Sequence, residues 1–150
     1  MLPFRTILCP TDFSVPSEAA VTAAVELARH FHATLRLIHV VPALPTQAPD
    51  LNYTFRVPEY EAALRADAEE KLKQLAARLC GEGLTPEFSV GQGDPGHEIA
   101  RMAHEFGADL VVIGTHGETG WRHALFGSVA ERVVRLTTCP VLAARPAKTS

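Results

Sequence analysis

The chain has 150 residues and a mass of 16.2 kDa, one domain's worth at roughly 100–200 residues per domain. Hydrophobic residues make up 47% and charged residues 21%, a balance that supports a packed core and excludes collagen-like, mucin-like and wholly disordered chains. A net charge of −3 with a pI near 6.1 supplies no basic field, which argues against nucleic acid as a partner.

Thr6 to Cys9 is a β-rich apolar run and reads as strand 1. Helix 1 follows, with Ser14 as its N-cap and Pro16 in its first turn. Ala20, Ala24, Leu27 and Phe31 fall at steps of four, three and four, which places them on one helical face. Leu35 to Val41 is strand 2. Pro42 to Pro58 carries four of the eleven prolines and little periodicity. It reads as a loop, longer than the roughly 12–15 residues above which loops are usually functional or mobile.

Helix 2 is expected from about Glu59 to Cys80, with Ala68, Leu72, Leu75 and Leu79 inward. Glu61, Arg65, Glu69 and Lys73 form its solvated face. Gly81 and Gly83 stop it. Strand 3 is Pro86 to Val90, and helix 3 is about Gly96 to Phe106. Strand 4, Leu110 to Ile113, is apolar throughout, as a strand covered on both faces must be. A glycine-containing loop from Gly114 to Phe126 precedes helix 4, about Gly127 to Thr137. Strand 5 is Val141 to Ala144, and Pro146 to Ser150 is a frayed tail. Alternating β and α elements predict a single α/β domain over 1–150, a doubly wound parallel sheet with helices on both faces. Right-handed crossovers gather the carboxyl ends of the strands on one edge, where ligands bind.

Cys9, Cys80 and Cys139 are odd in number and widely spaced, so they form neither a disulfide framework nor a zinc pattern. No signal peptide or bilayer-length apolar run is visible. These features point to a cytoplasmic protein with no membrane partner. Of the seven histidines, His30 and His32 complement the end of helix 1, and His39 reads as a strand residue in the core or at its edge. His97 and His104 fall on the surface of helix 3, while His116 and His123 lie in the glycine loop within reach of a ligand.

The segment after strand 4 carries the chemistry. Gly114 is followed by Gly117 and then by Gly127-Ser128, in the context strand, glycine loop, helix N-terminus. That is an arrangement for phosphate. Glycines let backbone approach an anion, the first N–H groups of a helix lack intrahelical partners, and the Ser128 hydroxyl adds a donor. Ser128 lacks the nucleophile-elbow context, since Phe126 stands two residues before it.

The spacing Gly114, Gly117, Gly127, Ser128 resembles the G-x2-G-x9-G-[S/T] motif of the universal stress protein family, in its ATP-binding branch. The resemblance covers about residues 4–146. It includes Ile7 to Ser14, His39-Val40, Gly93-Asp94-Pro95, Ala108 to Gly114, Gly127 to Val133 and Cys139 to Leu142. It implies a five-stranded sheet of order 3-2-1-4-5, adenine nucleotide alpha hydrolase-like, with ATP at the carboxyl edge. Asp12, preceded by Pro10 and Thr11, would meet the ribose or a metal-bound phosphate. The Val40 backbone would hold the adenine edge. Gly114 and Gly117, with Thr115 and His116 between them, would line ribose and phosphates. Gly127, Ser128 and Val129 would hold the phosphates.

Glu118 departs from the family, which often has a basic residue there; Arg122, with the opposite charge, and His123 follow it. Mg²⁺ or Mn²⁺ would arrive with the phosphates, with no dedicated protein cage. Strand 5 is an apolar edge strand, and in the resembled family it commonly forms a homodimer, here through Val141 to Ala144. The expected function is an ATP-binding stress or signalling switch with little or no turnover. A slow ATPase and a nucleotide-independent dimeric module are the alternatives. No catalytic residue is assigned.

Overall fold

The computed structural model describes residues 1–44, 51–81, 83–115 and 127–147. Its strands are β1 (Thr6–Pro10), β2 (Thr34–Val41), β3 (Glu87–Gln92), β4 (Leu110–Gly114) and β5 (Val141–Ala144). They form a five-stranded sheet in the order β3-β2-β1-β4-β5, and every pairing is parallel. The helices are α1 (Val15–Phe31), α2 (Leu51–Cys80), α3 (Pro95–Glu105) and α4 (Ser128–Leu136). Ile7 of β1 stands opposite Leu35 on one side and Leu110 on the other. Strand order therefore reverses at the carboxyl ends of β1 and β4, the switch point where open α/β sheets take ligands.

Strand alternation divides the core into two layers. Ile7, Cys9, Leu35, Leu37, Leu110 and Val112 face Ala20, Ala24 and Ala28 of α1 and Leu72, Ala76 and Leu79 of α2. Leu8, Ile38, Val40, Val111 and Ile113 face Ile99, Met102 and Ala103 of α3 and Ala130 and Val133 of α4. Each fully buried Leu, Ile or Val contributes about 1.5–3 kcal/mol relative to exposure. The alanine stripe of α1 lets that helix sit close to the sheet.

Ser14 caps α1, its side chain accepting from the Ser17 N–H, and Pro16 occupies the first turn as expected. His32 ends the helix in a left-handed conformation with φ 54°. The expected start of helix 2 requires correction. The loop read over Pro42 to Pro58 gives way to helix at Leu51, and Pro58 lies inside that helix. A proline removes one backbone donor and bends a helix without always ending it. Val57, just before it, is buried, which anchors the extra turns. Ala68, Leu72 and Leu79 are buried as their spacing requires.

Asp94 caps α3 by accepting from the His97 N–H. The helices α3 and α4 meet where Gly96 lies under Arg132: a Cβ at Gly96 would fall 2.7–2.8 Å from carbons of the Arg132 stem. Arg132 then reaches over, its Nη1 donating to Asp94 Oδ1 at 3.0 Å. Among the described residues, no helix is long and apolar enough to cross a membrane.

Candidate nucleotide site at the carboxyl edge

The chain leaves β1 at Pro10 and turns through Thr11, Asp12 and Phe13 into α1. Thr11 is buried, and its N–H donates to the Ile38 carbonyl of β2 at 2.8 Å. Thr11 Oγ1 accepts from the Phe13 N–H at 3.0 Å and lies 3.1 Å from Ser17 Oγ. Asp12 is exposed, and its Oδ1 accepts from the Ser14 N–H at 3.0 Å and from the Ser14 hydroxyl. Asp12 therefore both closes the turn and presents a carboxylate at the sheet edge. Phe13 takes φ 63°, a left-handed conformation rare for a bulky residue.

The end of β4 lies against the start of α1. A Cβ at Gly114 would fall 3.1 Å from the Pro16 carbonyl oxygen and 3.5 Å from Ser17 Cα. Glycine is needed here for a close backbone approach, whatever a ligand requires. Thr115 is buried, and its N–H donates to the Ala144 carbonyl of β5 at 3.1 Å. Its own carbonyl accepts from the Gly127 N–H, which fixes the start of α4 beside β4. Gly127 is the N-cap of α4 and supplies no side-chain cap. The first backbone bond into that helix is Glu131 N–H to the Gly127 carbonyl. Ser128 is exposed and Val129 half-buried.

The structure thus brings Pro10, Thr11 and Asp12 to the same edge as Gly114, Thr115, Gly127, Ser128 and Val129. Val40 stands at that edge on β2, two residues past Ile38, the partner of Pro10; its side chain is buried among the residues facing α3 and α4. His116, Gly117 and Arg122 lie outside the described residues, as do Glu118 and His123.

One further residue at this edge was read from the sequence only as a strand residue in the core or at its edge. His39 is half-buried, and its Nδ1 lies 2.7 Å from the Thr11 carbonyl oxygen. Its ring stands 4.8 Å from that of Phe13, tilted by 36°. Lys71 Nζ also lies over the Phe13 ring, at 5.5 Å from its centroid. A cavity of about 300 Å³ opens beside this stack between α1 and α2, bounded by Thr11, Phe13, Lys71, Gln74 and Arg78. Glu18 and Val21 of α1 and Leu75 of α2 complete its lining, so it adjoins the turn without containing the helix terminus of α4.

Electrostatics separate ligand chemistry from scaffold. Hydrogen bonds from the His97 ring and backbone, and then from Arg132, hold the Asp94 carboxyl down at about 2. This exposed cluster fastens α3 to α4. Burial pushes the Cys9 thiol up to about 12, so Cys9 is a small apolar core residue and not a nucleophile. Among the described residues, no group of three or more His, Cys, Asp or Glu side chains is arranged to hold a metal ion.

A five-stranded sheet with a glycine-capped helix at its switch point defines a class, and comparison with known proteins identifies it. The universal stress protein family is matched over residues 3–145, and this chain belongs to that family. Universal stress protein MJ0531 of Methanocaldococcus jannaschii is 32% identical over 145 residues, covering 97% of this chain and 84% of that protein. Universal stress protein UspA from Lactobacillus plantarum has a similar structure, with a TM-score of 0.82 and 27% identity over 94% of this chain and 97% of that one. A universal stress protein from Archaeoglobus fulgidus in complex with dAMP shares the fold, with a TM-score of 0.66 and 22% identity over 97% of this chain and 100% of that one.

Proposed function

We propose that this protein binds ATP at the carboxyl edge of its sheet and acts as a nucleotide-dependent stress or signalling switch with little or no turnover. The observation that carries this reading is the placement of the α4 N-terminus. Gly127 leaves the first turn without a side-chain cap, and its bond to Thr115 sets that turn beside the end of β4. Backbone donors at a helix start suit a phosphate chain without a basic patch. The dAMP complex of the Archaeoglobus fulgidus protein supports an adenine nucleotide as the class of ligand for this fold.

In this reading Gly127, Ser128 and Val129 hold the phosphates, and Gly114, Thr115, His116, Gly117 and Arg122 line ribose and phosphates. Asp12, with Pro10 and Thr11, meets the ribose or a phosphate-bound Mg²⁺ or Mn²⁺. The Val40 backbone meets the adenine edge. The chain acts as a single domain, in the cytoplasm, as a homodimer through β5. That strand pairs with β4 on one side, and Leu142, Val134 and Leu136 form exposed apolar side chains on β5 and α4.

The test is a calorimetric titration with ATP, ADP, AMP and cyclic AMP in the presence of Mg²⁺, with phosphate release followed in parallel. Saturable ATP binding without phosphate release is the expected result. Steady phosphate release would make the protein a slow ATPase, and no binding at millimolar nucleotide would remove the reading.

A further inference from the structure

We propose that His39 is a positioning residue for the nucleotide site, holding the Thr11–Asp12–Phe13 turn in the shape that presents Asp12 to the ligand. This rests on the nucleotide reading above and extends it to a residue on a different strand.

The turn is strained. Phe13 at φ 63° sits where bulky L-residues are disfavoured, and such a conformation persists only where the surroundings over-determine it. Part of that constraint is local. Phe13 N–H donates to Thr11 Oγ1, and Asp12 Oδ1 accepts from Ser14. These bonds close the turn but do not fix where it stands relative to the sheet.

Its placement comes from β2. The Ile38 carbonyl accepts from the Thr11 N–H at 2.8 Å, and His39 Nδ1 donates to the Thr11 carbonyl at 2.7 Å. The same His39 ring lies against Phe13, the strained residue. Thus one side chain grips the residue before Asp12 by hydrogen bonding and the residue after it by ring contact.

The strand itself makes histidine an unexpected occupant. Leu35 and Leu37, on the same face of β2, are buried leucines, and an apolar side chain at 39 would continue the row. An imidazole is harder to desolvate. What it supplies in return is a donor for a carbonyl on a buried residue. A carbonyl only accepts, so the neutral ring must carry its proton on Nδ1, the less common tautomer of a free histidine side chain.

Two substitutions separate the hydrogen bond from the ring. His39→Phe keeps an aromatic ring beside Phe13 and removes the donor. His39→Asn places an amide donor near the position of Nδ1 and removes the ring. Affinity for ATP with Mg²⁺ is measured by calorimetry for both variants and the wild type, with melting temperatures alongside. The expected result is a loss of about tenfold in His39→Phe, with affinity largely restored in His39→Asn. Wild-type affinity in His39→Phe would overturn the positioning role and leave the nucleotide site standing. Equal losses in both variants would also overturn it, since a donor returned to the position of Nδ1 would then restore nothing. Failure of the wild type to bind ATP would remove the nucleotide reading itself and the role with it. Should His39→Phe not fold, ¹⁵N spectroscopy of the wild-type imidazole decides. A neutral Nδ1–H tautomer supports the assignment and an Nε2–H tautomer contradicts it.

Discussion

The Gly127 N–H donates to the Thr115 carbonyl, so the residue before α4 is tied to the residue just past β4. Thr115 is in turn bonded to Ala144 of β5. A helix start that would serve as an anion site in isolation is thereby set at a fixed place on the sheet edge. Gly114, one residue earlier, brings that edge against the start of α1.

Gly114→Val tests the close approach. Its Cβ would fall 3.1 Å from the Pro16 carbonyl oxygen, a backbone atom that cannot swing away, and the γ-methyls add further crowding. Thermal and denaturant unfolding should show a loss of about 1–3 kcal/mol. Unchanged stability would mean that β4 and α1 separate freely and that Gly114 answers to the ligand alone.

The elements most legible in the sequence were those whose signals are local. The apolar run Leu110 to Ile113, the spacing of Ala68, Leu72 and Leu79, and the Gly127-Ser128 junction each announce themselves within a few residues. The start of α2 did not, because the prolines between Pro42 and Pro58 resemble a loop and the anchoring burial of Val57 is a tertiary fact. The sequence placed His39 in the strand, but its bond to the turn was hidden for a related reason. Its partner Thr11 lies 28 residues earlier, and nothing in Leu37-Ile38-His39-Val40 distinguishes a bonded histidine from one merely tolerated in a strand. The Asp94–Arg132 pair, 38 residues apart, was invisible on the same grounds.

The Asp94 carboxylate, held by hydrogen bonds from His97 first and then Arg132, predicts an acid-side stability effect. Asp94 is held at about 2 against an ordinary 3.8, so its carboxylate stabilises the fold above the ordinary value. The contribution is lost as pH falls through the folded value. Asp94→Asn retains a capping side chain and removes the charge. The gap in denaturant midpoint between wild type and variant, present at neutral pH, should close as pH falls from 3.8 towards about 2. A gap independent of pH would assign the effect to capping alone.

The three thiols should differ in reactivity. Cys80 is exposed, Cys139 is half-buried and Cys9 is buried. Burial raises the thiol of Cys9 to about 12 and that of Cys139 in the same direction. Alkylation of the native protein near neutral pH, followed by peptide mass spectrometry, should label Cys80 first and Cys9 only after unfolding. Early labelling of Cys9 would show that the central strand opens readily.

The homodimer is tested by Leu142→Lys. Leu142 is 38% exposed on the edge strand, and a lysine there places a charge in the proposed interface. Light scattering at micromolar concentration should report a dimer for the wild type and a monomer for the variant. A monomeric wild type would remove the interface.

The central claim, phosphate binding by backbone donors at the start of α4, is tested most directly by native mass spectrometry of the wild type and Gly127→Asp with ATP. Gly127 has φ −70°, which aspartate adopts readily, and aspartate is a good N-cap. The variant should therefore keep or slightly raise its melting temperature while placing a carboxylate where the phosphates would sit. The predicted result is an ATP adduct on the wild type that is absent from a fully folded Gly127→Asp. An equal adduct on both proteins, or none on the wild type at millimolar ATP, would contradict the account.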